Sequence, residues 1–435
     1  MTDFYETAIH LQEILADQML LLLEPEVIDF TSKASGKVVV EGKGRVEFEI
    51  SPQNTHIVAG LLQSTVFNKD KVKVLYGYNI KPLFSYLKFF LKTDFNPMVS
   101  LVDVKVIESF LNLPTKKPQS INEAIIRAKQ LAENKVWGKV YKQIHLPLIT
   151  KVLPAIETTP LLDESDKSSK HPYYEIEGQI NGRLNSLKKY RRSYLPHTLS
   201  PDIKLKPIGY DIFLQADFKA CEVVVLQWLS KDEVLKEVIA SGQDVYKLIF
   251  KIITGKDCLT PQQRTFCKRV FLPVMYGLGP KGLAKQLKIE EATAEALVNR
   301  IHRKFSVATQ WMQNQQQLAK EQGYTVDAFG RPRTYKDGEF YLARNFAVQG
   351  VAATICQEKV IQLHNALKST KAKLCFVVHD AVMISCPEDR VIETSQLIQT
   401  VLEKASDICA DLTMKVEIKY GKNLSEMKNI HEGAR

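Results

Sequence analysis

Three short stretches hold residues whose types and spacing could do chemistry. The first is IFLQADFKACEVVVLQWL at 212–229, where the apolar run Ile212-Phe213-Leu214 leads to Asp217 and then to Glu222. A carboxylate at the end of a buried strand is costly to desolvate unless something pairs with it. Val223, Val224, Gln227 and Trp228 follow at helical spacings. Taken alone, Asp217 reads as the cap of that helix and Glu222 as a solvated acid. The second stretch, TPQQRTFCKRVFLPVMYG at 260–277, opens with a capping box of Thr260 and Gln263 and has Pro261 at the first helical position. Arg264, Lys268, Leu272 and Tyr276 then recur every fourth residue, a slowly drifting band on one side of a helix. Two cations one turn apart, followed by an aromatic ring, suit a triphosphate; alone, they are a solvated basic face. Pro273 cannot bond back to the Arg269 carbonyl and should kink this helix. The third stretch, KLCFVVHDAVMISC at 373–386, reads as a hairpin with His379-Asp380 at its tip. Alone, that is turn chemistry. Taken together, two strand-end aspartates can converge on one face of a sheet. At about 4 Å their repulsion is roughly 4 kcal/mol at an effective dielectric near 20. Such a pair calls for divalent cations. Mg²⁺ takes few carboxylates and keeps positions for substrate phosphates. Two such ions about 4 Å apart can activate an attacking hydroxyl and stabilise a leaving pyrophosphate.

The elements that must position these residues occupy a long chain. Its 435 residues are enough for two or three domains with sizeable cores. With 59 Lys and Arg against 49 acids the formal charge is +10, which suits a polyanionic partner. The seven cysteines include no C-x-x-C pair, which points to reduced thiols in a cytoplasmic protein and away from zinc. Early acids and the lack of a basic leader argue against a secretory signal, and MLLLLEP is too short to span a membrane. It is expected to end an amphipathic helix over 1–24, stopped by Pro25. Alternation over 36–50 predicts strands with a glycine turn. A strand at 72–80, a helix after it and the segment 100–112 complete a small α/β unit. Residues 114–118 look like a linker, 119–153 are helical, and 160–172 read as a polar loop. From Tyr174 onward the pattern is a dense α/β domain.

That last region resembles the polymerase domain of family A DNA polymerases, the bacterial DNA polymerase I group. The resemblance is carried by DFKACE at 217–222, by the R-x-x-x-K-x-x-x-x-x-x-x-Y-G helix and by the His-Asp of the hairpin. GRLNS at 182–186, GQDVY at 242–246, AFGRPR at 328–333 and NFAVQG at 345–350 fall between them in family order. The resemblance implies an α/β fold with a right-hand palm and fingers, in the compact form expected of a phage or other mobile element. It makes Asp217 and Asp380 the carboxylates for two Mg²⁺ ions. Arg264 and Lys268 would hold the triphosphate of the incoming deoxynucleotide, with Leu272, Tyr276 and Tyr246 beside it. Glu222 would fill the space of a ribose 2′-hydroxyl. Arg183, Asn345, Gln349 and His379 would touch the primer–template DNA, where a minor groove with similar acceptors at every pair suits a sequence-blind enzyme. Lys188, Lys189, Arg191 and Arg192 extend Arg183 into a basic run that tracks phosphates.

Departures from the family pattern are informative. Leu272 stands where Phe or Tyr is usual, with Phe271 one position off. Pro273 replaces a common Gly, Ala381 follows Asp380 in place of Glu, and Tyr246 takes the place of a frequent His. Only residues 158–181 lie where a helical thumb would be, so a reduced thumb and reliance on a processivity or replisome protein are expected. The domains implied are 1–118, a degenerate RNase H-like 3′→5′ exonuclease domain; 119–173, a helical connector and vestigial thumb; and 174–435, palm and fingers. Leu83 occupies a position expected for a metal-binding Asp, and Asp103 is the remaining acid, so no proofreading is expected. A single-subunit RNA polymerase is disfavoured by Glu222. A non-catalytic replisome scaffold is the other alternative.

Overall fold

Gln18–Glu24 is a strand whose residues Met19 to Leu23 are all buried. A strand covered on both faces reads as an unbroken apolar run rather than an alternating one. The helix expected over 1–24 therefore ends at Glu13, and MLLLLE is the middle strand of a sheet. The computed structural model describes residues 2–24, 35–92, 98–132, 135–172, 174–175, 180–186, 204–210 and 212–430. Lys188, Lys189, Arg191 and Arg192 lie outside these.

Packing divides the chain into two units: Met1–Asp217 with Gln357–Val401 and Glu417–Arg435, and Phe218–Cys356 with Leu402–Val416. In the first unit, Gln18–Glu24 pairs antiparallel with Gly36–Glu41, which pairs antiparallel with Arg45–Ile50. On its other side it pairs parallel with Val74–Tyr78, and that strand with Ser100–Asp103. The expected strands and glycine turn are thus in place. The connector is helical over Ile121–Ala132 and Lys135–Val140. It then widens into π-type turns at Tyr141–His145 and Leu148–Val152 before ending at Leu153–Glu157. The stretch expected as a loop at 160–172 is instead a hairpin, Leu161–Asp163 with Ser168–Lys170, extended by Leu205–Pro207. Lys170 lies 2.6 Å from Asp166 and 3.8 Å from Asp163, which neutralises its acidic turn.

The same unit contains a five-stranded sheet. From its edge the order is Lys373–Val378, Ala381–Cys386, Ile212–Phe218, Val416–Gly421 and Lys428–Asn429. Ala381–Cys386 is buried at every position and Ile212–Phe218 at five of seven, which fixes the register of the segment carrying Asp217.

The second unit is mainly helical. Phe271 and Phe305 meet edge to face in its core, with centroids 5.0 Å apart. Buried Asp232 accepts the amides of Leu235 at 3.0 Å and Ala308 at 2.9 Å, joining the starts of two helices. No helix among the described residues is long and apolar enough to cross a membrane.

Candidate active site

Asp217 lies opposite Ala381 in the antiparallel ladder between Ile212–Phe218 and Ala381–Cys386. Asp380 is the residue before Ala381, in a two-residue turn whose flanking pair is Val378 and Ala381. Ladder spacing sets the two aspartate Cα atoms on the order of 6 Å apart. Both side chains are half-buried. Asp217 does not cap the helix that follows: the cap position is Ala220, with no side-chain bond, and Asp217 belongs to the strand. His379, exposed, carries φ 55° in the turn. A left-handed conformation is costly for a residue with a Cβ and persists only where the surroundings enforce it. Two half-buried carboxylates at the ends of adjacent strands are hard oxygen donors of the type that Mg²⁺ prefers.

In the helical unit, Glu222 stands in the first turn of Cys221–Ser230. It is not merely solvated. Its carboxylate accepts a short hydrogen bond from the Tyr276 hydroxyl and another from Gln349 Nε2 at 3.2 Å. Gln349 and Asn345 are half-buried, one turn apart on the helix Leu342–Leu367.

The helix Pro261–Met275 begins with the expected capping box and Pro261 at its start. Cys267, Val270, Phe271, Val274 and Met275 are buried, while Arg264, Leu272 and Tyr276 are half-buried and Lys268 is exposed. The four-residue band therefore faces outward as its spacing requires. Phe271 cannot stand in for an aromatic at position 272, because it is packed on Phe305. The Arg269 carbonyl, denied a partner by Pro273, accepts Gln286 Nε2 at 3.1 Å. Gly277, just past the helix, has φ 102°, a conformation that excludes side chains.

Arg264 Nε donates to Asp244 Oδ2 at 2.7 Å, and its guanidinium lies 5.5 Å from the centre of the Tyr246 ring. Tyr246 is buried, so it forms a floor for Arg264. Asp244 also caps the helix Val245–Thr254 through the Lys247 amide. Sequence reading passed over Asp244, although its place before V-Y-K is a cap signature. Lys268 has no ion-pair partner among the described residues.

Arg344, beside Gly277, was also passed over; burial lowers its pKa, and its Nε has no hydrogen-bond partner among the described residues. Arg183 is half-buried, and its amide donates to Asn181 Oδ1 at 3.2 Å.

In the N-terminal sheet Asp103 is fully buried and caps Val104–Phe110. Its carboxylate accepts the amides of Asn79, Ile80, Lys105 and Val106 at 2.9–3.4 Å. Burial nevertheless pushes its pKa upward. Leu83 is fully buried.

The family model for DNA polymerase family A matches residues 202–426. Over 229 residues the chain is 30% identical to the thermostable DNA polymerase I of Thermus filiformis, covering 50% of this chain and 27% of that one. Over 295 residues it is 27% identical to DNA polymerase I of Bacillus caldotenax, covering 64% and 32%. The chain thus spans about a third or less of the length of these relatives. Among solved structures, the POL domain of Pol1 from M. smegmatis, in complex with DNA primer-template and dNTP, is similar with a TM-score of 0.72 and 15% identity. That match covers 97% of this chain and 98% of that one, and it gives the fold as that of a palm-and-fingers polymerase domain. With the family model spanning more than half its length, and its strand-end aspartates and basic helix inside the matched region, the chain belongs to DNA polymerase family A.

Proposed function

We propose that this chain is a template-directed, primer-dependent DNA polymerase. The observation that carries the reading is the strand register that sets Asp217 beside Asp380. These two carboxylates would hold two Mg²⁺ ions, which when bound supply charge neutralisation for the attacking primer hydroxyl and the leaving pyrophosphate. The protein contributes position and charge rather than a covalent intermediate. Arg264 offers a forked donor to the nucleotide's phosphates once it exchanges Asp244 for them, and the Tyr246 ring keeps it from collapsing inward. Lys268 adds a point charge on the same helix face. Glu222, held by Tyr276 and Gln349, is a fixed obstacle to a ribose 2′-hydroxyl. Asn345, Gln349, Arg183 and His379 are the proposed DNA contacts, with the basic run 188–192 as a phosphate track. Leu272 supplies an aliphatic surface for the nascent pair.

The division into 1–118, 119–173 and 174–435 is retained as a proposal about what each part does. An antiparallel meander followed by two parallel strands supports an RNase H-like ancestry for the first part. Asp103 gives its oxygens to four backbone amides, which supports a domain without proofreading. The short hairpin over 161–170 supports a reduced thumb and a need for a processivity partner. The site of action is proposed to be the cytoplasm of a bacterium, infected or not.

Extension of a labelled primer with Mg²⁺ and four deoxynucleotides tests the reading. Wild type should extend it, and Asp217→Asn and Asp380→Asn should each be at least about 10³-fold slower while binding primer–template within a few-fold of wild type. Equal rates in wild type and Asp217→Asn would refute it.

A further inference from the structure

A fully buried tyrosine clamps the strand that delivers Asp380. Tyr174 is 1% exposed. Its hydroxyl donates to the Val377 carbonyl at 2.8 Å and accepts the Val377 amide at 2.8 Å. Val377 lies on Lys373–Val378, the edge strand of the five-stranded sheet, three residues before Asp380. One phenol thus satisfies both polar groups of a residue that no sixth strand among the described residues pairs.

This strand needs an external clamp. Its pairing with Ala381–Cys386 shifts register between Leu374 and Phe376. A bulge of this kind disrupts the ladder locally and bends the strand that carries it. Val377 is the second residue beyond the shift, and the turn that follows contains the left-handed His379. Strain of that kind survives only where neighbouring contacts over-determine it.

Tyr174 is in turn held from the N-terminal part of the chain. Its amide donates to Glu157 Oε1 at 3.0 Å. The other Glu157 oxygen accepts Ser85 Oγ at 2.5 Å, and Lys81 forms a short ion pair with Oε1. Lys81, Ser85 and Glu157 are all buried. A buried ion pair adds little stability over an apolar pair of the same shape, but it tolerates few alternative geometries. Tyr174 also pairs with Ser186 of the GRLNS segment.

We propose that Tyr174 is a positioning residue for the metal-binding turn at His379-Asp380, anchored by the Glu157, Lys81 and Ser85 cluster of the N-terminal region. That region would then be retained as a buttress for nucleotidyl transfer, a role separate from any nuclease chemistry. The proposal rests on the polymerase reading for its consequence, but the clamp is measurable without it.

The test compares wild type, Tyr174→Phe and the double variant Lys81→Met/Glu157→Gln, which removes both buried charges together. Hydrogen exchange reads the Val377 amide. Mn²⁺ binding, followed by electron paramagnetic resonance on the complex with dideoxy-terminated primer–template and dNTP, reads the carboxylate pair. Tyr174→Phe should lose protection at Val377 and weaken Mn²⁺ binding by about tenfold or more, the usual size of a support-residue effect. In extension assays kcat should fall with KM for dNTP unchanged, and raised Mn²⁺ should restore part of the rate. The double variant should move every readout the same way by a smaller factor. Wild-type exchange at Val377 and wild-type Mn²⁺ affinity in Tyr174→Phe would overturn the proposal, and so would a loss of melting temperature with neither of them changed. A double variant indistinguishable from wild type would overturn the N-terminal anchor. Failure of wild type to extend any primer would count against the polymerase reading alone, since the exchange comparison at Val377 still decides the clamp.

Discussion

Glu222 is the residue whose surroundings carry most meaning. Spacing alone left it an acid in the first turn of a helix, and the family resemblance made it a sugar filter. The structure adds Tyr276 and Gln349, which converge on its carboxylate. A side chain held by two partners cannot swing aside cheaply, since leaving would strand both donors. Glu222→Ala should therefore raise ribonucleotide insertion relative to deoxynucleotide insertion by about tenfold or more, read from single-nucleotide kinetics. Wild-type sugar selectivity in that variant would remove Glu222 from the discrimination. Asp244 was harder to read, because a single acid suffices both to cap a helix and to hold Arg264, and only the cap has a sequence pattern. Tyr174 was illegible: its role depends on a hydroxyl meeting a backbone some 200 positions away, and no periodicity records such a pair.

At the scale of elements, strong local rules were readable and buried ones were not. The capping box, Pro261 and the outward band of Pro261–Met275 follow from spacing and cap chemistry. The hairpin with His379-Asp380 at its tip follows from two β-rich runs around a polar pair. Gln18–Glu24 was misread because a central strand loses the alternation that distinguishes it from a helix. The strands at 161–170 were hidden by their polar, serine-rich composition. Two substitutions of residues that bond to Pro261–Met275 from outside it weigh these rules against each other. Thr260→Ala removes a cap and should cost about 1 kcal/mol. Gln286→Ala bares the Arg269 carbonyl at an exposed site where water replaces the amide, so the loss should stay below about 1 kcal/mol. Urea titration of both variants checks the order, and a larger loss from Gln286→Ala would mean that the proline site is shielded from solvent.

Over the whole molecule, the positive charge and family order of the motifs were legible from composition and sequence, whereas the division into units was not. Each unit takes segments from distant parts of the chain, and only tertiary packing assigns them. One titration belongs to this scale. Burial, and then the Arg344 guanidinium, holds the His302 imidazole below its ordinary 6.5. The folded chain therefore binds that proton less readily than the unfolded chain. The stability supplied by the neutral ring is complete above pH 6.5 and declines as the pH falls below it toward the depressed folded value. Urea midpoints between about pH 7.5 and 5.5 should fall less steeply in His302→Gln than in wild type. Parallel curves would show that another group governs this window.

The bond pair at Val377 has a consequence for how copies of the chain avoid one another. Lys373–Val378 is the outermost strand of its sheet, and an outer strand with bare main-chain groups is a template on which a second molecule can add its own strand. The Tyr174 phenol plugs that template from within the same chain. A fragment starting after residue 174 would keep the family motifs yet open this seam. It should self-associate at concentrations where the intact protein sediments as a single species, and Val377→Pro in the fragment, which deletes the amide on that side, should restore dispersal.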